Sequence, residues 1–192
     1  MNNYLQKSTS AAPLSVFRIV FGLLLFASII RFWSKGWIYE LYIKPKYFFS
    51  FYGFEFVKPF GEYTYILFAV CAISALMVAI GCFYRLSIII LFLSFSYIEL
   101  IDKSTYLNHY YFISMVSLLM IFLPAHAYFS VDAYRNNKLN SDTIPRWTID
   151  VLKVFVCMIY FFAGLAKINS DWLLEAQPLR IWLSAKNDIP FI

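Results

Sequence analysis

The chain has 192 residues, of which 61% are hydrophobic, 21% aromatic and only 14% charged. Soluble domains are usually about 45–50% apolar and about 25% charged, and a soluble protein of this length cannot bury so many apolar side chains. The composition therefore excludes a soluble globular protein and predicts an integral membrane protein. The net charge is +5 without any run of Lys or Arg, which argues against nucleic-acid binding and favours contacts with anionic lipid headgroups.

Five apolar segments approach or reach the roughly 20 residues that a membrane-spanning helix needs. In chain order they are Leu14–Trp33, Tyr63–Phe83, Leu86–Ile101, Tyr110–Pro124 and Ile149–Lys167. Tyr84-Arg85 forms a tight connection between the second and third, and the polar stretch Ala125–Thr148 predicts a solvated loop. The pattern contains no series of strands. The predicted fold is an all-α, polytopic transmembrane helical bundle of about five spans.

Counting the crossings assigns each loop to one side of the membrane. If the N-terminus lies on side A, the first span ends on side B, the second returns to side A, and the third ends on side B near Asp102. The fourth span then leaves side B at His109, and the fifth ends on side B at Lys167. Parity alone therefore places Asn108, His109 and Lys167 on one membrane face. Lys and Arg are balanced between the two sides, so their count does not orient the bundle.

These three residues are the candidates for chemistry. The two histidines, His109 and His126, bracket the fourth span, and a helix of that length separates them by about 25 Å, too far to share a metal. No Cys, His and carboxylate spacing matches a metal site either, so no metal is expected. A lysine in an apolar pocket can act as a general base, and imidazole and carboxamide groups can hydrogen-bond an oxygen-bearing substrate and a developing oxyanion.

The same residues have a structural interpretation. A lysine near the end of a span commonly extends its ammonium group to the lipid headgroups. Asp171 follows Lys167 at the spacing of a surface ion pair, and His109 is placed to cap the fourth span or contact headgroups. Residue spacing alone favours this structural interpretation over a catalytic one.

Five short segments carry a family resemblance in one order along nearly the whole chain. They are PLSVFRIVFG (13–22), IGCFYRLS (80–87), DKSTYLNHYYF (102–112), PAHAYFSVDA (124–133) and AGLAKINSDW (163–172). Together they resemble the vitamin K-dependent gamma-carboxylase family, including its bacterial relatives and the membrane domain they share. The third segment is similar to that family's DK-x-x-x-x-NH segment and the fifth to its A-G-x-x-K-x-x-x-D-W segment.

The resemblance implies an enzyme that oxidises reduced vitamin K, or another hydroquinone, with O₂ to the epoxide. The strong base so formed removes a γ-proton from a glutamate of a protein substrate, and CO₂ adds to give γ-carboxyglutamate. By resemblance, Lys167 deprotonates the hydroquinone, and Asn108 and His109 line the quinone-binding pocket. The resemblance also implies that side B is exoplasmic, either periplasmic or lumenal.

The chain departs from the family pattern at two places. The family often has an acidic residue two positions after the lysine, where this chain has Asn169. Family members continue into further spans and a large exoplasmic domain, whereas this sequence ends at DIPFI, so residues 1–192 are expected to be an N-terminal fragment or a minimal relative with only the first half of the membrane core. Two alternative functions stay open: a non-catalytic membrane module that assembles or anchors a partner, and a quinone-handling oxidoreductase without carboxylation.

Overall fold

The computed structural model describes residue 4 and residues 6–184. Its contacts divide the chain into two compact units, Met1–Ile149 and Asp150–Ile192. The DIPFI end, on which the expectation of a fragment depends, lies outside the described residues.

Four long helices build the first unit: α1 (Ala12–Ser34), α2 (Thr64–Ile80), α3 (Tyr84–Ile101) and α4 (Asn108–Phe122). Neighbouring helices run antiparallel, as the count of crossings predicts. Phe32, near the end of α1, stacks on Phe68 near the start of α2 with ring centroids 5.5 Å apart. Tyr84, at the start of α3, donates a hydrogen bond of 2.7 Å to the carbonyl oxygen of Met120 near the end of α4.

The remaining helices follow in order: α5 (Val131–Arg135), α6 (Trp147–Leu165), α7 (Ser170–Leu173) and α8 (Gln177–Ser184). Within the described residues, four helices are long and apolar enough to cross a membrane, namely α1, α2 with the turn before it, α3 and α6, while α4 is a shorter apolar helix. Each of the five predicted spans is thus a helix, with ends that differ by a few residues. The prediction of an all-α transmembrane helical bundle is confirmed.

The polar stretch after α4 is solvated at residues 134–140, as predicted, but it also contains a strand that was not predicted. Strand β2 (Thr143–Pro145) pairs antiparallel with strand β1 (Ser8–Ser10), and Thr9 lies opposite the buried Ile144. Strands of three residues are too short to show the alternating pattern that marks a strand in a sequence. The pair joins the segment just before α1 to the segment just before α6.

Close contact between α1 and α2 depends on small residues. A Cβ atom on Gly22 would lie 2.6 Å from the carbonyl oxygen of Ala75 and 2.8 Å from the Cβ atom of Ala79. In a bilayer, helices associate largely through van der Waals packing, and small residues allow their backbones to approach. Gly22 therefore sets the distance between the first two helices.

Gly22→Leu is expected to destabilise the first unit by about 1–3 kcal/mol or more, because the new side chain meets the backbone of α2 rather than a flexible side chain. Thermal unfolding of the protein in detergent micelles measures the effect. Val20→Leu is the matched control, since Val20 lies on the same helix with 48% of its surface exposed. Equal melting temperatures for the two variants would contradict close packing at Gly22.

Candidate functional site

The side B end of the first unit is organised by the turn that precedes α4. The Asp102 carboxylate accepts hydrogen bonds from the backbone amides of Ser104 at 2.9 Å and Phe49 at 3.2 Å. The Lys103 amide donates in turn to the carbonyl oxygen of Phe49 at 2.7 Å. These bonds attach the long α1–α2 connection to the end of α3 and fix the backbone just before Asn108.

Asn108 and His109 are the first two residues of α4. The His109 ring meets the Tyr110 ring edge-on, with centroids 4.6 Å apart. His109 also lines a groove of about 360 Å³ between α1 and α4, here called the His109 groove, together with Phe21, Leu24, Leu25, Ser28, Phe112 and Ile113. The groove thus combines apolar and aromatic walls with one imidazole, as binding sites for small apolar ligands commonly do.

Lys167 belongs to the second unit, just beyond the end of α6. Its ammonium nitrogen lies 4.9 Å from the centre of the Trp172 ring, at the distance of a cation–π contact. The side-chain oxygen of Asn169 accepts a 3.0 Å hydrogen bond from the Trp172 amide, and its nitrogen donates to the carbonyl oxygen of Ala166 at 3.2 Å. Asn169 therefore caps α7, a role that Asn and Asp fill about equally well.

The structure thus places two of the three predicted site residues side by side and the third in the other unit. Asn108 and His109 are neighbours in the first unit, whereas Lys167 belongs to the second. That these residues form one site stays a prediction from span parity and from the resemblance. Among residues 4 and 6–184, no group of three or more His, Cys, Asp or Glu side chains is placed to hold a metal ion.

A second cluster, on side A, was not predicted from the sequence. The Arg18 side chain is fully buried, and its guanidinium group donates to the carbonyl oxygens of Ala125 at 2.9 Å and Phe129 at 2.5 Å. The Asp132 carboxylate accepts from the backbone amides of Phe83 and Tyr84 at 2.9 and 2.8 Å, where α3 begins. The side A cluster is here defined as Arg18, Gly81, Tyr84, His126 and Asp132.

The side A cluster gives three of the resemblance segments a structural role. Residues 13–22 supply Arg18, and residues 80–87 supply the turn between α2 and α3. Residues 124–133 supply the Ala125 carbonyl oxygen that accepts from Arg18 and the Asp132 carboxylate that accepts from the turn. A signal for this was present in the sequence, because an arginine inside the first turns of a span needs buried acceptors. The acceptors themselves are backbone carbonyl groups, which no residue pattern marks.

His126 lies inside the side A cluster. Its ring stacks on Tyr84 with centroids 5.2 Å apart, and its Nδ1 atom is buried without a hydrogen-bond partner among the described residues. Burial lowers the pKa of His126, and the neighbouring Arg85 and Arg18 lower it further, while Asp132 acts in the opposite direction. His126 is therefore held in its neutral form.

Protonation of His126 is expected to destabilise the first unit. Because the pKa is lower in the folded chain than the ordinary value of about 6.5, the unfolded chain binds the proton more readily, so the stability present above about pH 6.5 falls as the pH drops through the folded pKa. Thermal unfolding measured from about pH 8 to about pH 5 should show this loss in the natural chain and in His109→Gln, but less of it in His126→Gln. The same pH dependence in all three proteins would contradict the prediction.

Comparison with known proteins identifies the family. The HTTM domain matches residues 6–192, and this is the shared domain of the vitamin K-dependent carboxylase family. No solved structure matches the chain. The match includes the helices of both units, and apolar helices long enough to span a bilayer lie in each. The chain is therefore an integral membrane protein that belongs to the HTTM domain family.

Proposed function

We propose that this chain is a vitamin K-dependent gamma-carboxylase-like membrane enzyme. It oxidises reduced vitamin K, or another hydroquinone, with O₂ and couples this epoxidation to the addition of CO₂ at a glutamate of a protein substrate. The match to the HTTM domain over residues 6–192 carries the proposal. In this proposal side B is exoplasmic.

The His109 groove supports a lipid-soluble hydroquinone as the reductant. Its volume of about 360 Å³ and its aromatic and aliphatic walls suit a flat apolar ring, and it lies between two apolar helices, α1 and α4. The imidazole of His109 can hydrogen-bond an oxygen of that ring, and the adjacent Asn108 carboxamide can bind a second oxygen. An apolar site also excludes water, which would otherwise quench a strong base.

Lys167 is proposed as the base that removes a proton from the hydroquinone. The hydroquinone hydroxyl is phenol-like, with a pKa of about 10, which a lysine amine can match. Oxidation by O₂ then transfers one oxygen atom to the epoxide and releases the other as water. The base formed in this oxidation takes the γ-proton of glutamate, a proton too weakly acidic for a side chain to remove, and the carbanion attacks CO₂.

One observation favours a second candidate, a non-catalytic membrane module. Three of the five resemblance segments meet in the side A cluster, where their contacts serve the fold. A module that assembles or anchors a partner would keep these contacts without needing Lys167 or His109. A quinone-handling oxidoreductase would need the His109 groove but no glutamate.

Membranes that contain the chain separate the three candidates when they are supplied with reduced vitamin K, O₂, labelled CO₂ and a glutamate-containing peptide. Epoxide together with label in the peptide supports the carboxylase. Consumption of hydroquinone without label in the peptide supports the oxidoreductase, provided that a version extended beyond residue 192 behaves in the same way. If neither version consumes hydroquinone, hydroquinone chemistry is rejected and the membrane module is favoured.

A further inference from the structure

A cavity of about 50 Å³ lies in the first unit, where all four long helices contribute to its walls. Its lining is largely aromatic and aliphatic, but it includes a set of polar side chains: Ser28, Tyr42, Cys71, Glu99, Thr105 and Tyr110. We call it the Glu99 cavity. Its volume has room for a few water molecules.

Glu99 is unusual because it is a carboxylic acid within a spanning helix. It lies on α3 and is half-buried, and the Ser114 hydroxyl of α4 donates a 2.6 Å hydrogen bond to one of its oxygens. None of the residues that line the cavity is Lys, Arg or His, so the lining supplies no cation for this carboxyl group. An ionisable side chain inside a membrane is energetically expensive and commonly marks a path for ions or protons.

The Glu99 cavity adjoins two larger spaces. On the side B surface a groove of about 420 Å³ shares four lining residues with it, Phe32, Tyr42, Thr105 and Tyr110. Tyr42 and Thr105 both line the boundary between the two spaces, and the Thr105 hydroxyl donates a 2.9 Å hydrogen bond to the carbonyl oxygen of Asp102. Burial raises the pKa of Tyr42 to about 12, so this phenol keeps its proton. A neutral hydroxyl can accept one hydrogen bond and donate another, as a link in a proton-transfer chain requires.

The second neighbouring space is the His109 groove. Ser28 lines both the groove and the Glu99 cavity. Tyr110 lines the cavity, and its ring contacts the ring of His109. Hydroxyl groups thus stand on the boundary between the cavity and each of its two neighbours, where they can both donate and accept hydrogen bonds.

We propose that Glu99 is an internal proton-transfer site that connects the His109 groove with the side B surface. This inference rests on the proposed function, because a hydroquinone has two hydroxyl groups and Lys167 is assigned to one of them. The proton of the other hydroxyl passes through Ser28 or Tyr110 and water to the Glu99 carboxylate. It leaves through the wall of Tyr42 and Thr105 to water on side B, and the carboxylate is restored without any transfer of electrons.

Infrared spectroscopy tests the proton site without hydroquinone. Difference spectra of the protein in lipid nanodiscs, recorded between about pH 5 and about pH 9, should contain a carboxylic acid band that shifts in D₂O and is absent from Glu99→Gln. Glu55→Gln is the matched control, because Glu55 lies in the exposed α1–α2 connection. Ser114→Ala should shift the band, since it removes the hydrogen bond to Glu99.

The other titratable groups near the cavity are accounted for separately. Tyr42, Cys71 and Tyr110 line the cavity, but a thiol or a phenol gives no carboxylic acid band. Asp102, three residues after Glu99, is a carboxylic acid and needs its own control. If the band belongs to Glu99, Asp102→Asn should leave it in place. A spectrum without a band that depends on Glu99, or a Glu99 band that does not respond to D₂O, would overturn the proposal.

Activity provides the second measurement. Glu99→Gln should slow hydroquinone oxidation by about 100-fold and change its pH profile, with the KM for hydroquinone and the melting temperature retained. A fall in melting temperature with an unchanged pH profile would show that Glu99 only joins α3 to α4, against the proposal. If the natural chain shows the Glu99 band but oxidises no hydroquinone, the proposed function and the ligand-to-Glu99 step both fail, while the protonatable site itself stands.

Discussion

Lys167→Ala is expected to lower the rate of hydroquinone oxidation by about 100-fold or more. A positioned general base typically contributes about 10²–10⁴-fold to a rate, and alanine removes the amine completely. Lys167→Arg should be equally inactive, although it keeps a positive charge over the Trp172 ring, because a guanidinium group does not deprotonate in proteins. Epoxide formation in membranes measures both variants.

Neither variant is expected to unfold the second unit. An exposed cation–π contact contributes only about 0.5–1 kcal/mol, and the turn after α6 is held by the side-chain hydrogen bonds of Asn169. Melting temperatures should therefore stay close to that of the natural chain. A loss of activity without a loss of stability would separate a chemical role of Lys167 from a structural one.

Two further comparisons make the test of Lys167 specific. Lys153→Ala is the control on α6, the helix before Lys167, because Lys153 forms an ordinary ion pair with Asp150 at 3.7 Å and should be dispensable. A small primary amine added to Lys167→Ala should restore part of the rate if the missing group is a base. Full activity of Lys167→Ala would instead show that this lysine only extends its ammonium group to the headgroups.

The helices could be predicted from the sequence because length and hydropathy are properties of continuous segments. Leu14–Trp33 and Tyr110–Pro124 needed only small changes at their ends, and parity then gave the antiparallel order of α1 to α4. The end of a helix depends on single turns and caps. Pro13 in the first turn of α1 and Asn169 before α7 decide such ends locally.

The site was only partly predictable, because its remaining features depend on contacts between distant segments. Asn108 and His109 stand out as polar residues at the start of an apolar span. Nothing near Glu99 in the sequence indicates Ser114 or Tyr42 as its neighbours, since these come from another helix and from a connection. Arg18 likewise binds carbonyl groups more than 100 residues away, at Ala125 and Phe129.

Gly81→Ala is expected to destabilise the first unit by about 2–5 kcal/mol. Gly81 ends α2 with a φ of 68°, a left-handed conformation that strains a residue with a side chain by about 1–2 kcal/mol. A Cβ atom there would also lie 2.4 Å from the Ser130 Cβ atom and 2.6 Å from Nη1 of Arg18. Forcing such an overlap in a packed interior adds about 1–3 kcal/mol.

Gly36→Ala separates the two contributions. Gly36 has nearly the same φ, 70°, but nothing lies within 4 Å of the position that its Cβ atom would occupy. Gly36→Ala should therefore show the destabilisation caused by backbone strain alone. Thermal unfolding in detergent measures both variants, and the extra destabilisation of Gly81→Ala is the contribution of the steric overlap. Equal shifts in melting temperature would mean that the side A cluster does not enclose Gly81.

The double variant Arg18→Ala/Gly81→Ala shows whether the two residues act as a unit. Arg18→Ala alone leaves the carbonyl oxygens of Ala125 and Phe129 without their donor, which is destabilising by itself. It also removes one of the atoms that a Cβ at position 81 would meet, so the second substitution should then be less harmful. The double variant should therefore lose less stability than the sum of the losses of the two single variants. A loss equal to that sum would indicate that Arg18 and Gly81 stabilise side A independently.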